Sequence, residues 1–459
     1  MKMMKQDILY YSTNLKAQPV AFSEALIKGL APDKGLFMPE TIPHFNFDEI
    51  KTFASKTYPE IAFSVLQRFL GDQISDQELH TLTHDAYNFP VPLENVAGRK
   101  YVMRLDQGPT ASFKDFAARM MGRLMQYFLK KDNRNLLILT ATSGDTGSAM
   151  ANAFYGLDNI KIVILFPENE VSDRQRRQMT TLRQNVQTIA LNGKFDDCQA
   201  LVKQAFSDSD LEYLNLSSAN SINIGRLLPQ SIYYFYAYSR LSHGESNDEA
   251  IFSVPSGNFG DLMGGLLAKK MGLPVKKFVI STNENDEVPN YFKTGAYQPI
   301  VPSKNCLSSA MNVGHPSNLA RIVALYKGAM NEKGEILKSP DMALMKQDMF
   351  AISISDSETI DTIKKAYNQY KLVLEPHGAV SWAGLKNYLD ANPQDNNDQQ
   401  LCISLETAHP AKFPDALKEF LHFEPSIPGS LQGLEDKTES FDKLENSYKA
   451  FKSYLKEHF

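Results

Sequence analysis

A lysine at the start of a predicted helix is the residue in this sequence whose position is hardest to explain without special chemistry. Lys114 follows a turn at Gly108 and Pro109, and apolar residues then recur at helical spacing up to Phe128. The first turn of a helix carries a partial positive charge, so an ammonium group is disfavoured there. The amine could lose its charge through burial or through condensation with an aldehyde to an imine. The competing interpretation is a lysine that extends past the helix start into solvent.

Two glycine-rich turns, each between a predicted strand and a predicted helix, are candidate anion sites. They span residues 142–147 and 256–260. In a parallel α/β sheet, ligands bind at the carboxyl ends of strands, where the next helix offers unpaired N–H groups and a favourable dipole. Neither turn has the nucleotide-binding phosphate-loop or dinucleotide pattern. Each could hold a phosphate or a carboxylate, although an ordinary tight connection gives the same pattern.

A third candidate anion site is the polar run 220–226, which ends in Arg226 at a predicted helix start. A cation is poorly placed there unless an anion lies nearby. A capped helix with a solvated arginine is the alternative. His377 and His409 each adjoin a proline and have no second His or Cys at ligand spacing, so we expect structural roles for them and no metal site.

Composition narrows the class of protein. The chain has 459 residues, enough for two or three domains, and 48 basic against 53 acidic residues give a net charge of −5. This balance argues against nucleic-acid binding, which needs a basic surface. No signal-peptide-like segment opens the sequence, and no apolar run approaches the roughly 20 residues that cross a bilayer. Three scattered cysteines suit a reducing compartment, so we expect a cytoplasmic protein without membrane partners.

The order of predicted elements indicates three regions. Residues 1–95 read as a mainly helical N-terminal region, residues 96–431 as a core in which strands alternate with helices, and residues 432–459 as a helical tail. Such alternation predicts an α/β protein with parallel-rich sheets flanked by helices. More specifically, we predict one long helix over 226–238, a short strand over 372–374, and one amphipathic helix that includes Phe441 and Leu444.

Five segments in this order resemble the threonine synthase family, in the branch with an extra N-terminal region. They are 112–117 (SFKDFA), 141–147 (ATSGDTG), 218–223 (SANSIN), 254–261 (VPSGNFGD) and 407–413 (TAHPAKF). The stretch 18–39, which ends in GLFMP, is similar to the start of that family. The resemblance covers most of the chain and is weakest over 283–350 and in the tail.

The resemblance implies a pyridoxal phosphate (PLP) enzyme of fold type II, the tryptophan-synthase-β-like fold, which converts O-phospho-L-homoserine and water to L-threonine and phosphate. Lys114 would be the Schiff-base lysine, and Thr407 would place its hydroxyl at the pyridine nitrogen. The residues around the cofactor phosphate would be Gly257, Asn258, Phe259, Gly260 and Asp261. The loop for the substrate carboxylate would contain Thr142, Ser143, Asp145 and Thr146. The substrate phosphate would meet Ser221 and Arg226.

Two groups of alternatives remain open from the sequence. A serine or threonine dehydratase of the same fold needs no site for a substrate phosphate, so Ser221 and Arg226 argue against it, whereas a phospho-lyase that stops at the keto acid would use both. A non-catalytic protein with this fold would be free to lose Lys114 and the glycine turns. The partner is a small-molecule substrate, and we expect a monomer or a homodimer.

Overall fold

The N-terminal region combines a small sheet with four helices. The computed structural model describes residues 8–459; residues 1–7, on which part of the signal-peptide prediction rests, lie outside the described residues. The elements are β1 (Tyr10–Ser12), α1 (Phe22–Lys28), β2 (Phe37–Pro39), α2 (Phe47–Lys51), α3 (Tyr58–Leu70) and α4 (Asp76–Ala86). Helix α3 begins with a capping box between Thr57 and Glu60 and buries one apolar face, as its sequence period predicts.

Strands and helices alternate through the rest of the chain. The first half of this core contains β3 (Leu93–Ala97), β4 (Lys100–Arg104), α5 (Lys114–Lys131), β5 (Leu136–Ala141), α6 (Asp145–Phe154), β6 (Ile160–Pro167), α7 (Asp173–Thr180), β7 (Val186–Asn192), α8 (Phe195–Phe206), β8 (Leu216–Ser218), α9 (Ile224–Gln230), α10 (Ile232–Leu241), β9 (Ala250–Pro255), α11 (Gly260–Lys270) and β10 (Val275–Thr282). The second half contains α12 (Glu287–Thr294), α13 (Leu319–Leu325), β11 (Ala329–Met330), β12 (Ile336–Lys338), α14 (Met342–Asp348), β13 (Met349–Ser353), α15 (Asp356–Tyr370), α16 (Pro376–Ala391), β14 (Cys402–Glu406), α17 (Pro414–Leu421), β15 (Asp442–Glu445) and α18 (Tyr448–His458).

Two sheets organise these elements. One has six strands in the order β13-β10-β9-β14-β4-β3, and the other has five in the order β15-β7-β6-β5-β8. All pairs in both sheets are parallel except the edge pair β3 and β4. Every residue of β5, β9 and β14 is buried, as expected for parallel strands covered on both faces. The predicted α/β class with parallel-rich sheets is confirmed.

Helix α5 ties the N-terminal region to the core. Its residue Phe116 is buried, and its ring lies against the rings of Tyr58, Tyr87, Phe89 and Tyr233 at centroid separations of 5.0 to 6.2 Å. The same helix packs on α6 and α9. Aromatic contacts of this kind resist rotation of a helix about its axis, so the first turn of α5 has a fixed orientation.

The prediction of one continuous helix over 226–238 is wrong. The structure interrupts it at Ser231, between α9 and α10. Pro229 explains the break, because a proline within a helix removes one N–H donor and clashes with the carbonyl of the residue four positions earlier. The hydroxyl of Ser231 donates a hydrogen bond of 2.7 Å to the carbonyl of Leu228 at this point.

Two apolar runs also differ from their predictions. Residues 372–374 form no strand; Leu372 and Leu374 are buried, and the segment leads into the N-terminus of α16. The predicted tail helix begins only at Tyr448. The residues just before it form the edge strand β15, which follows Phe441, contains Leu444 and pairs with β7. A spacing of three places two side chains on one face of a helix but on opposite faces of a strand. Phe441 accordingly contacts Phe166, whereas Leu444 packs against the helices on the other side of the sheet.

The domain boundaries at 95 and 431 remain predictions, and β3, which includes residue 95, pairs with β4 of the core. Within residues 8–459, none of the helices combines the length and the apolar character needed to cross a membrane.

Candidate active site

Each of the five sequence segments follows the carboxyl end of a strand. The segments come after β4, β9 and β14 in the six-stranded sheet, and after β5 and β8 in the five-stranded sheet. Because neighbouring parallel strands end at the same edge, the three segments of one sheet meet each other, as do the two of the second. The site therefore lies between the two sheets.

Lys114 is the first residue of α5, and its amine is largely withdrawn from solvent. The side chain is 13% exposed, and Nζ lies 3.8 Å from Oδ2 of Asp145 and 4.8 Å from the centre of the Phe113 ring. Burial lowers the pKa of Lys114; Asp145 opposes this decrease, whereas Lys412 and Arg226 add to it. The solvated lysine considered from the sequence is thus not what the structure shows. A larger fraction of this amine is neutral at a given pH than in an ordinary lysine.

Asp145 joins two lysines at the N-terminus of α6. Its Oδ1 lies 2.6 Å from Nζ of Lys412, a fully buried lysine that also donates to the carbonyl of Thr110 at 2.9 Å. Gln175 donates to the same carboxylate oxygen at 2.9 Å. Burial alone would raise the pKa of Asp145, but Lys412 and Lys114 outweigh it and the pKa lies below its usual value. The Asp145 side chain is therefore an anion held by cations, and only its backbone N–H is suited to a substrate carboxylate.

The rest of the 142–147 turn is closed by a hydroxyl. Oγ1 of Thr142 accepts hydrogen bonds from the N–H groups of Gly144 and Gly147 at 2.9 and 2.8 Å. Ser143 and Thr146 lie half-buried beside Asp145. The N–H of Ser143 donates to no other described residue. With the helix dipole of α6 behind it, the turn can receive a carboxylate through its N–H groups.

We expect Asp145→Asn to lower the free energy of unfolding by about 3–5 kcal/mol at pH 7, because it leaves buried Lys412 without its counter-ion. Since folding lowers the pKa of Asp145, its ionised form stabilises the fold above the unfolded value of about 3.9 and that contribution is lost as pH falls below it. Urea unfolding at pH 7 and pH 3 should therefore show a difference between wild type and variant that shrinks at pH 3.

Asp158→Asn is the matched control for this measurement, because Asp158 pairs with Lys130 on the surface and is 75% exposed. Its loss should change the free energy of unfolding by less than about 1 kcal/mol. Equal effects of the two substitutions would contradict the assignment of Asp145 as a buried counter-ion.

The turn after β9 has the features of a phosphate site. Phe259 has a φ of 61°, in the left-handed region, and α11 begins at the next residue. The backbone N–H groups of residues 257–259 donate to no other described residue. A Cβ on Gly257 would lie 2.9 Å from Cα of Met311 and 3.0 Å from the carbonyl oxygen of Ala310, so only glycine fits there. Free N–H groups ahead of a helix dipole favour an anion.

Asp261 differs from its neighbours in this turn. Its Oδ1 accepts hydrogen bonds from the hydroxyls of Tyr233 and Tyr234, the second at 2.7 Å. Burial raises the pKa of Asp261 to about 6. The carboxyl group thus points toward the two tyrosines, and only the backbone of Asp261 is available to an anion at the turn.

The 220–226 segment lies against the turn after β9. A Cβ on Gly260 would be 3.4 Å from Cβ of Ser221. Arg226, on α9, is buried; it donates to the carbonyl of Ala219 at 2.8 Å, and its Nε has no partner among the described residues. Burial lowers the pKa of Arg226 to about 10, which leaves it charged at neutral pH. A buried cation without a carboxylate partner is costly, and a bound anion would remove that cost.

Thr407 is held beside Lys114 by backbone pairing. The N–H of Phe113 donates to the carbonyl of Thr407 at 2.9 Å, and that of His409 to the carbonyl of Ala111 at 3.0 Å. Ser112 and Ala408 form an isolated antiparallel bridge between them. The structure therefore brings together the lysine, both glycine turns, Arg226 and Thr407.

The residues present fit a group that carries both an aldehyde and a phosphate. Lys114 supplies a buried amine with a lowered pKa, and the turn at 257–260 supplies free N–H groups for the phosphate. The Nε of Arg226, which has no partner among residues 8–459, could donate to a second anion. Within residues 8–459, no group of three or more His, Cys, Asp or Glu side chains is arranged to hold a metal ion.

Three family models match successive parts of the chain. The one described as a pyridoxal-phosphate dependent enzyme covers residues 86–405. Those described as threonine synthase N terminus and threonine synthase, C-terminal, cover residues 9–87 and 381–455. The fold, the site and the match over 86–405 together define a pyridoxal-phosphate-dependent enzyme of fold type II.

Relatives of nearly the same length define the family. A threonine synthase of Haemophilus influenzae is 40% identical over 446 residues, which cover 97% of this chain and 99% of the relative. One of Escherichia coli is 37% identical over 442 residues, or 96% and 97% of the two chains. A crystal structure of PLP-bound threonine synthase from Brucella melitensis is 35% identical with a TM-score of 0.90, covering 98% of this chain and 99% of that one. The chain belongs to the threonine synthase family. The resemblance, fold type and cofactor predicted from the sequence are confirmed.

Sequence reasoning missed several residues that shape the site. Lys412 stood within a segment used for the resemblance but received no role, and Gln175, Asn318 and Arg321 received no notice. Lys412 and Thr110 are 302 residues apart in the chain. For Lys412 and Arg321, the only local signal is a basic residue next to apolar ones, and this pattern is too common to identify a buried cation.

Proposed function

We propose that the chain converts O-phospho-L-homoserine and water to L-threonine and phosphate, as a carbon–oxygen lyase acting on a phosphate ester. The observation that carries this function is Arg226, a buried cation with an unpartnered Nε close to Lys114. A dehydratase acting on free serine or threonine has a substrate whose only anionic group is the carboxylate, which the 142–147 turn would hold. A substrate with a phosphate on Cγ offers Arg226 a second anion, and arginine binds phosphate through charge-assisted hydrogen bonds.

The cofactor would be held at both of its ends. Lys114 would hold pyridoxal phosphate covalently, and the backbone of Gly257, Asn258, Phe259, Gly260 and Asp261 would hold its phosphate. Thr407 would offer its hydroxyl to the pyridine nitrogen, where a carboxylate would instead favour a protonated ring. Bound pyridoxal phosphate supplies an electron sink that acidifies the carbon bound to the substrate amine.

With the substrate amine bound to the cofactor in its place, the amine of Lys114 would be available to move protons. Its lowered pKa means that the neutral form, which is the base, is readily populated. It would take the proton from Cα, and its position on the rigid first turn of α5 keeps it on one face of the substrate. Burial is the main cause of this decrease in the pKa of Lys114; Asp145 beside it opposes the decrease, and Lys412 adds to it.

The two ends of the substrate would be held by different turns. The N–H groups of Ser143, Asp145 and Thr146, with the hydroxyls of Thr142, Ser143 and Thr146, would bind its carboxylate. Ser221 and Arg226 would bind its phosphate, first on Cγ and then as the departing ion, whose negative charge Arg226 stabilises. Loss of the Cα and Cβ protons with release of phosphate from Cγ, followed by protonation of Cγ, addition of the hydroxyl of water at Cβ and return of a proton to Cα, would give threonine.

The test is to incubate purified protein with pyridoxal phosphate and O-phosphohomoserine and to quantify phosphate, threonine and 2-oxobutanoate separately. We expect phosphate and threonine in equal amounts. Equal amounts of phosphate and keto acid would instead identify the phospho-lyase alternative, and keto acid from threonine or serine without any reaction of the phosphorylated substrate would identify the dehydratase.

Location and assembly belong to the same proposal. The three cysteines, Cys198, Cys306 and Cys402, are unpaired and two of them are buried, which is typical of a reducing compartment such as the cytoplasm. All the groups named for the reaction come from one chain, so a monomer or a homodimer suffices. Light scattering on the purified protein measures which of the two forms.

A further inference from the structure

Arg321, on α13, is a fully buried arginine with only neutral acceptors around it. Its Nε donates to the carbonyl of Phe37 at 3.1 Å, and its two terminal nitrogens donate to the carbonyls of Ser221 and Ile222 at 3.0 and 2.7 Å. The first of these nitrogens also donates to Oδ1 of Asn318 at 2.7 Å. Burial lowers the pKa of Arg321 to about 9, and no described carboxylate opposes this decrease.

Asn318 extends these contacts to the cofactor side. Its side-chain Nδ2 donates to the carbonyl of Asn258 at 3.0 Å and to that of Ser221 at 3.3 Å. Its backbone N–H also donates to the Asn258 carbonyl, at 3.3 Å. Arg321 and Asn318 therefore join three separate pieces of chain: the turn that would hold the cofactor phosphate, the segment that would hold the substrate phosphate, and β2 of the N-terminal region.

These contacts are unusual because a buried charged group makes them and because they join distant segments of the chain. An arginine at 0% exposure is ordinarily paired with a carboxylate, because an unpaired buried charge is costly. Here the guanidinium reaches the turn after β9 through the side-chain oxygen of Asn318, and it donates directly to the carbonyls of Phe37, Ser221 and Ile222. Each such carbonyl is polarised by the guanidinium, which strengthens the hydrogen bonds that the same peptide units donate. Anions bound at the turns would compensate the charge.

We propose that Arg321 is a positioning residue that fixes the two phosphate-binding turns relative to each other. It contacts one of them directly, at Ser221 and Ile222, and reaches the other through Asn318, which donates to Asn258. Arg321 would act through these hydrogen bonds and not through contact with the cofactor or the substrate. This inference rests on the proposed function, in which both turns hold phosphates, and it gives the segment around Phe37 a role in substrate binding. Its loss should weaken binding of both phosphates more than it slows the chemical step.

The test compares Arg321→Met with Arg240→Met. Arg240 is a matched control because it also donates to backbone carbonyls of the N-terminal region, those of Phe53, Ala54 and Lys56, but contacts neither turn. Both variants leave several backbone carbonyls without their donor, so both should lower the melting temperature. Only Arg321→Met should raise the Kd of the apoenzyme for pyridoxal phosphate, the inhibition constant of inorganic phosphate and the KM for O-phosphohomoserine, each by about tenfold, the effect of losing one or two hydrogen bonds at a turn. kcat should change less.

Two further variants keep the test decisive. Arg321→Lys retains the charge with fewer donors and should recover part of each constant. Should Arg321→Met fail to fold, Asn318→Ser removes the side-chain hydrogen bonds from residue 318 to Asn258 and Ser221 while its backbone N–H still donates to Asn258, and it should raise the same constants. The inference is overturned if the folded Arg321→Met variant, or Asn318→Ser in its place, keeps the wild-type Kd, inhibition constant and KM. A wild-type protein that binds the cofactor but does not turn over O-phosphohomoserine overturns the proposed function instead, and the Kd comparison still reports on Arg321.

Discussion

Replacement of Lys114 by alanine is expected to reduce turnover of O-phosphohomoserine by about 10⁴-fold or more, because covalent attachment of the cofactor and proton transfer at Cα are lost together. The near-visible absorbance that depends on the covalent link should disappear, and borohydride should no longer fix cofactor to the protein. Mass spectrometry after borohydride treatment reads the attachment directly, at the peptide that contains residue 114.

Lys130→Ala is the matched control, since Lys130 lies in the last turn of the same helix and its side chain is 52% exposed. It should keep the wild-type spectrum and rate. A Lys114→Ala protein that retained both the absorbance and the turnover would show that the cofactor is bound elsewhere. An added small primary amine should restore part of the rate in Lys114→Ala, because it can supply the missing base.

The second large effect is expected at Arg226. Arg226→Gln should raise the KM for O-phosphohomoserine and lower kcat, with a combined loss in kcat/KM of about 10- to 150-fold, the range for losing charge-assisted hydrogen bonds to a phosphate. The cofactor spectrum should remain that of the wild type. The inhibition constant of inorganic phosphate should rise in parallel, because the same group would hold the product.

The melting temperature of Arg226→Gln provides an independent test of this role. Arg226 is buried without a carboxylate partner, so its replacement by a neutral side chain should leave the melting temperature of the ligand-free protein unchanged or higher. Addition of phosphate should raise the melting temperature of the wild type more than that of the variant. Normal kinetics in Arg226→Gln would remove its assigned role, and a large loss of stability without phosphate would show that its charge already has a partner.

Local sequence was sufficient for the parts of the site that depend on one strand and the turn after it. Lys114 and Arg226 are cations near helix starts, a mismatch between residue type and helix dipole that is visible without coordinates. The turns at 142–147 and 256–260 are recognisable as glycine-rich connections from a strand to a helix. The parallel sheets followed from the alternation of elements. The convergence of these features at one place came from the ordered resemblance to a family, because spacing along the chain does not say which strands are neighbours.

The residues that local sequence could not identify act through contacts between distant segments. Lys412 resembles any surface lysine until the fold places it on Asp145, and Arg321 lies in a stretch whose elements were poorly predictable. The other errors have different local causes. Pro229 interrupts the predicted helix over 226–238. The short apolar run from Leu372 to Leu374 fits more than one element, and Phe441 and Leu444 at a spacing of three fit a helix, although pairing with β7 makes the segment that contains Leu444 a strand.

The place of β14 in its sheet has a consequence for synthesis of the protein. This strand lies between β9 and β4, although it is made last of the six, and the segment after it carries Thr407 and Lys412 to the lysine loop. A chain still on the ribosome therefore has two unpaired strand edges at its centre until residue 406 has emerged. Assembly of the cofactor site therefore waits until β14 and the segment after it have emerged, and a chain that stops short of β14 exposes those edges to aggregation instead of forming a weaker enzyme.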